Sequence, residues 1–164
     1  MNSVVIYGSH FGNTKKVAEA IATGLRPCGD VQVFSADEAP SLLPTGTDLL
    51  IVGGPTEGFR MTAPVSRFLE RLDPRTVDGR AAAVFDTRVR PRWWLLGYAG
   101  SGIAKKLRGM GAHLVAPVQG FFVEGEIDEQ AGRYPVLESG ELERAAGWAR
   151  SMASLVAANE PAHV

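Results

Sequence analysis

The chain reads as an α/β fold: a three-layer sandwich whose five-stranded parallel sheet, in the order 2-1-3-4-5, carries helices on both faces. Three observations predict it. Short apolar runs alternate with stretches of helical period, the pattern of strands joined by helical crossovers. Its 164 residues, 45% apolar and 21% charged, suffice for one domain with a real core. The unusual compositions fall in strand-to-helix connections, where sheets of this kind bind ligands.

The elements follow in order. Val4–Tyr7 is the first strand. Thr14–Leu25 is the first helix, with Val17, Ile21 and Leu25 on one face, and Pro27 and Gly29 end it. Val31–Phe34 alternates, which suits an edge strand with one wetter face. Asp37–Leu43 reads as a short helix between prolines. Leu49–Val52 is apolar throughout and so central. Pro64 suits the first turn of a helix reaching Leu72, with Val65, Phe68, Leu69 and Leu72 inward. Ala81–Phe85 is the fourth strand. Gly100–Met110 is a helix with Ile103, Leu107 and Met110 inward and Lys105, Lys106 and Arg108 outward. Leu114–Val123 is the fifth strand, interrupted at Pro117 and Gly120, which points to an edge or a bulge. Glu141–Ala158 closes the fold. The expected domain is 1–158, with 159–164 as a tail.

Bulk properties exclude several classes. A net charge of −1 offers no broad nucleic-acid footprint. No apolar run is long enough to span a bilayer. The start, Met1 to Tyr7, lacks the basic region of a signal peptide. Cys28 is the only cysteine, so no intramolecular disulfide can form and a cytoplasmic protein is expected. His10, His113 and His163 lack metal-ligand spacing. No Gly-x-Gly-x-x-Gly follows the first strand, and Phe59 stands where a nucleotide P-loop would need lysine. Gly100-Ser101-Gly102 is too compact for a hydrolase nucleophile turn.

The first loop, Gly8-Ser9-His10-Phe11-Gly12-Asn13-Thr14, wraps a helix N-terminus with small and hydroxyl residues. Free backbone N–H groups and the helix dipole favour a phosphate there, with Ser9 and Thr14 as added donors. The same composition also suits a plain turn capped by Asn13 or Thr14. His10 reads either as a phosphate contact or as a solvent-facing imidazole.

Taken together, these residues resemble the flavodoxin family. Tyr7–Thr14 is similar to its phosphate loop, and Ser9, His10, Phe11, Gly12, Asn13 and Thr14 match positions that hold the phosphate of flavin mononucleotide (FMN). Gly53-Gly54-Pro55-Thr56-Glu57-Gly58-Phe59 resembles the loop along the inner face of the flavin ring. Phe85-Asp86-Thr87-Arg88 stands where the family places its third flavin loop, and is most similar to a small bacterial group of flavodoxin-like proteins. The resemblance covers nearly the whole chain. It implies a flavodoxin-like fold, FMN as cofactor, and contacts from Ser9–Thr14, from Pro55, Thr56, Glu57, Gly58 and Phe59, and from Asp86, Thr87 and Arg88. It also implies a redox partner protein, and leaves open an NAD(P)H-linked reductase. No catalytic acid or base and no metal site is expected.

The chain departs from that pattern in places. Electron-carrying flavodoxins are usually strongly acidic, and this chain is nearly neutral. Glu57 and Gly58 follow Thr56 where an aromatic is common, and no tyrosine lies near Asp86. Arg88, Arg90 and Arg92, with Trp93 and Trp94, could cover a flavin, with Arg88 near the ring, or meet an acidic partner. The plainer reading is a solvated basic loop with packed tryptophans. Glu124, Glu126, Asp128 and Glu129 read as a solvated acidic loop, or as a match for the arginines of a second copy in a homodimer. A reading of another class is a flavin-free scaffold that binds a partner through 88–98.

Overall fold

The computed structural model describes residues 1–57, 60–90 and 98–159. Its strands are β1 (Ser3–Tyr7), β2 (Val31–Ser35), β3 (Leu49–Pro55), β4 (Ala81–Val89), β5 (His113–Leu114), β6 (Gln119–Glu124) and β7 (Val136–Leu137). Its helices are α1 (Asn13–Leu25), α2 (Ala63–Arg71), α3 (Ala99–Gly109) and α4 (Glu141–Asn159). The sheet runs β2-β1-β3-β4-β6-β7, parallel except for β6 with β7, and β5 pairs with the start of β4. The expected order therefore holds. Two segments fill the fifth position, and a short antiparallel strand adds an edge.

Period-two alternation of the strands builds the core. Val4, Ile6, Leu50, Val52, Ala82 and Val84 face α2 and α3, meeting Val65, Phe68, Leu69, Ile103 and Leu107. Their neighbours Val5, Leu49, Ile51, Ala83 and Phe85 face α1 and α4, meeting Val17, Ile21, Ala149 and Met152. Phe68, Phe85 and Phe121 are fully buried, each contributing about 1.5–3 kcal/mol of transfer free energy. The α1–α4 contact is close: a Cβ on Gly24 would fall 2.3 Å from the Ala146 carbonyl oxygen.

Pro117 sits in the break of the fifth strand. Leu114 pairs with Ala82 and Gln119 with Phe85, so a five-residue step faces a three-residue one. The prolyl nitrogen cannot donate to a ladder, and the surplus residues bulge.

The short helix expected over Asp37–Leu43 is absent; the segment is a chain of turns. Pro40 lacks the N–H that a helix would need. Tertiary partners also take the carbonyls: Arg71 donates to Ala36 and Ala39, and the Asp73 amide donates to Ser41. At the other end of the chain, α4 includes Asn159, one residue past the expected boundary. No described helix is long and apolar enough to cross a membrane.

Candidate functional site

The carboxyl ends of β1, β3 and β4 lie side by side at one edge of the sheet, with the described residues that follow β1 and β3. The first loop turns directly from β1 into α1. Gly12 makes the turn at φ 86°, a conformation costly for residues with a Cβ. The Ser9 hydroxyl accepts from the Gly12 amide at 3.1 Å and from the Lys15 amide at 3.4 Å. The backbone N–H groups of Ser9, His10, Phe11, Asn13 and Thr14 donate to no acceptor among the described residues. They sit at the start of a 13-residue helix, whose dipole adds positive potential. A Cβ at Gly12 would meet nothing within 4 Å, so that side of the loop is open. A beside-lying cleft is lined by Ser9, His10, Gly12, Lys15, Ser35 and Asp37. Such a set of free donors suits an anionic group, and in particular a phosphate.

Side chains of this loop point to several places. The Thr14 hydroxyl is buried and lies 2.8 Å from that of Thr87. It ties the first loop to β4 instead of facing open space. Asp86, Thr87 and Arg88, expected in a loop after a strand ending at Phe85, lie within β4, which runs on to Val89 because β6 pairs with Phe85–Val89. The Asn13 amide group donates to the Pro135 carbonyl at 2.7 Å. His10 stacks on Phe11 at 4.3 Å between centroids, and Phe11 stacks on Tyr134 at 4.8 Å. His10 Nδ1 lies 3.1 Å from Glu57 Oε1, bridging the first and second loops.

The second loop leaves β3 at Pro55. Glu57 and Arg60 exchange backbone hydrogen bonds at 3.0 Å. Gly58 and Phe59, two of the expected flavin contacts, lie outside the described residues. The Thr56 amide donates to the Thr87 carbonyl, and the Thr56 hydroxyl accepts from the Ala99 amide at 3.0 Å. Thr56 thereby satisfies one of the free donors at the start of α3.

Asp86 does the same for the next donor, accepting from the Gly100 amide at 3.0 Å. Its carboxylate is fully buried and lies 3.2 Å from Arg88 Nε. The pair is close enough for charge contact but misaligned for a hydrogen bond, which leaves Asp86 Oδ1 and Arg88 Nε without one among the described residues. Burial pushes the Asp86 pKa up, while Arg88 and the Gly100 amide pull it down; burial prevails. The Arg88 guanidinium stacks on Tyr98 at 3.7 Å from the ring centroid. It occupies the space above Gly120, where a Cβ would fall 2.2 Å from its Nη2. Arg88 is thus a nearly buried cation set against Asp86. Trp93 and Trp94 lie outside the described residues.

Sequence reasoning missed the segment between β6 and β7. Asp128 and Arg133 pair across it by backbone bonds at 2.9 Å and a side-chain bond at 2.7 Å. One member of the acidic stretch is therefore already paired within the chain. The hairpin brings Tyr134 and Pro135 against the phosphate-type loop. A lone tyrosine in a polar, glycine-containing run carries no period, so nothing local signals its place. No group of three or more His, Cys, Asp or Glu among the described residues could hold a metal ion.

Comparison with known proteins agrees with this geometry. Residues 5–135 match the family model for flavodoxin. A flavodoxin from the domain Archaea is 26% identical with a TM-score of 0.75, over 96% of this chain and 99% of that one. Oxidised Flavodoxin 2 from Bacillus cereus is 20% identical with a TM-score of 0.74, over 94% and 99%. Oxidised Flavodoxin 1 from the same organism is 18% identical with a TM-score of 0.72, over 98% and 100%. At that identity the two Bacillus proteins speak to the fold. No curated protein sequence matches the chain.

Proposed function

This chain belongs to the flavodoxin family of FMN-binding proteins, and we propose that it works as an electron carrier whose FMN phosphate is held mainly by backbone. The observation that carries the reading is the set of N–H groups of Ser9, His10, Phe11, Asn13 and Thr14, without an acceptor among the described residues and placed at the start of α1. The Ser9 hydroxyl accepts twice and keeps its own proton to donate outward. Thr14, engaged with Thr87, holds the floor of the loop. Open space at Gly12 fits close approach by an anion.

Bound FMN supplies the redox chemistry through its ring system. The chain's part is position and electrostatics. Glu57, which reaches His10, and the Pro55–Thr56 backbone would hold the ring system. Thr56 and Asp86 act at one remove, by anchoring α3 beneath that edge. Arg88 brings little net charge to the ring, because Asp86 offsets it. With a net charge of −1, docking to a redox partner cannot rely on a strong overall field.

The test is a flavin titration of the purified protein, followed by fluorescence. FMN is expected to bind saturably. Ser9→Ala should weaken FMN by about 1–2 kcal/mol, the scale of one hydrogen bond to a charged group after compensation by water. Riboflavin, which lacks the phosphate, should bind parent and variant alike. A protein that ignores FMN would overturn the reading in favour of a flavin-free scaffold.

A further inference from the structure

The phosphate-type loop is poor in bonds of its own. Within residues 9–13 the backbone is held by the Gly12 amide on Ser9 Oγ and by the Lys16 amide on the Gly12 carbonyl, with the Lys15 amide reaching Ser9 Oγ. A loop whose amides must stay free for an anion cannot use them to fix itself. Its bracing therefore comes from outside: besides the Thr14–Thr87 contact beneath it, two further braces reach it among the described residues. Glu57 reaches His10 from the second loop. The 125–135 hairpin reaches the loop twice, through the Pro135 carbonyl on Asn13 and through Tyr134 on Phe11.

The hairpin is built to serve as a fixed support. At its base, β6 and β7 pair through Val123–Leu137 and Glu124–Val136. Beyond the base, Arg90 holds Glu138 by a forked pair, 2.9 Å from Nε and 2.7 Å from Nη2. Near the tip, Asp128 accepts from the Ala131 amide at 3.0 Å as well as from Arg133. Tyr134 and Phe11 are 45% and 37% exposed, yet they stack on each other at an interplanar angle of 22°. With His10 they make a three-ring ladder from the hairpin across the loop. Asn13, the first residue of α1, is 8% exposed and points at the hairpin.

We infer that the 125–135 hairpin, through Tyr134 and Pro135, holds the phosphate loop in its binding conformation and so sets how slowly FMN leaves. Tyr134 is a positioning residue: it acts through Phe11 and need not touch the cofactor. The inference rests on the FMN reading above. Preorganisation of this kind lowers the ordering cost at the moment of binding, and its loss shows mainly in the dissociation rate.

The experiment uses the full chain as parent, Tyr134→Ala and Tyr134→Phe, with FMN and riboflavin as probes in stopped-flow fluorescence. Tyr134→Ala should speed FMN release roughly 2- to 12-fold, the range expected for one aromatic pair. Tyr134→Phe, which keeps the ring, should restore the parent rate to within about 2-fold. Riboflavin kinetics should be unchanged in both. Hydrogen exchange on flavin-free protein gives an independent readout: Tyr134→Ala should quicken exchange in 9–13 and leave β1 and β3 alone. A parent that binds FMN while Tyr134→Ala releases it at the parent rate would overturn this inference only. So would unaltered exchange in 9–13. A parent that binds no FMN would overturn the FMN reading and this inference with it.

Discussion

Replacing Arg88 with Met removes a charge from a nearly buried pair and keeps most of the stem. Asp86 is fully buried and the Arg88 side chain is 14% exposed. Without its partner, the Asp86 carboxylate has two costly choices: to stay ionised in a dry site or to take up a proton. Protonation sets the ceiling. A carboxyl with an unfolded-state pKa of ~3.9 costs about 1.4 kcal/mol per pH unit to protonate above that value, so roughly 4 kcal/mol at pH 7. Burial already pushes the folded-state pKa up, and Arg88 is the first of the influences pulling it back. Its loss raises the pKa further. The sign follows: a raised carboxyl pKa gives stability that is full below the unfolded value and is lost as pH rises through the folded one. The variant should therefore differ least from the parent near pH 4. The gap should widen by up to about 1.4 kcal/mol per pH unit above the parent's own Asp86 pKa, to no more than ~4 kcal/mol at pH 7. Loss of the Tyr98 stack adds a pH-independent ~0.5–2 kcal/mol. Urea unfolding at several pH values between 4.5 and 7.5 measures this. The reasoning fails if the gap is the same at every pH.

Glu141 gives the opposite pH dependence. Burial raises its pKa, but Arg144 and the Phe122 amide outweigh burial, and the net shift is downward. Its stabilisation is full above the ordinary value of ~4.5 and is lost as pH falls through the depressed one. Glu141→Gln should cost about 1–3 kcal/mol at pH 7, with the difference in Tm closing in acid; a gap that persists at pH 3 would refute this. Gly24→Ala should destabilise by about 1–3 kcal/mol despite the better helix propensity of alanine. Its Cβ would meet backbone of Ala146, which cannot swing aside. A thermal melt matching the parent would show that α1 and α4 part easily.

The fold was legible because its strands and helices bury regular stripes. Leu49–Val52 announces a central strand by being apolar at every position, and it lies between β1 and β4. The alternation in Val31–Phe34 fits its edge place in the same way. Asp37–Leu43 misled because its local pattern carries no trace of Arg71, 28 or more positions away, which claims its carbonyls. Within the site, loop composition located the cluster but not the task of each side chain. Thr56 and Asp86 look like ligand contacts in sequence, and the structure adds a task that composition did not show: each accepts from an amide at the start of α3. Tyr134 and Pro135 were invisible because their partner, the first loop, lies more than a hundred residues upstream. Spacing and period report neighbours along an element, and these are contacts across the sheet edge.

The start of α3 has a further consequence. Tyr98, its N-cap residue, makes no side-chain cap to the helix backbone. The first amides are instead satisfied by Thr56, 43 positions earlier, and Asp86, 14 positions earlier. Those groups reach α3 only once β3 and β4 lie side by side. Among the described residues, the Ala99 and Gly100 amides therefore find their acceptors just past β3 and on β4 rather than nearby, while the Ser101 amide bonds locally to the Tyr98 carbonyl. Ordering it first would leave its leading N–H groups to water, while closing the longer loop adds only modest entropy once the sheet exists. The expected outcome is that α3 gains its full hydrogen-exchange protection only after β3 and β4 have paired. A peptide spanning 98–110 alone would be expected to remain largely unfolded in water.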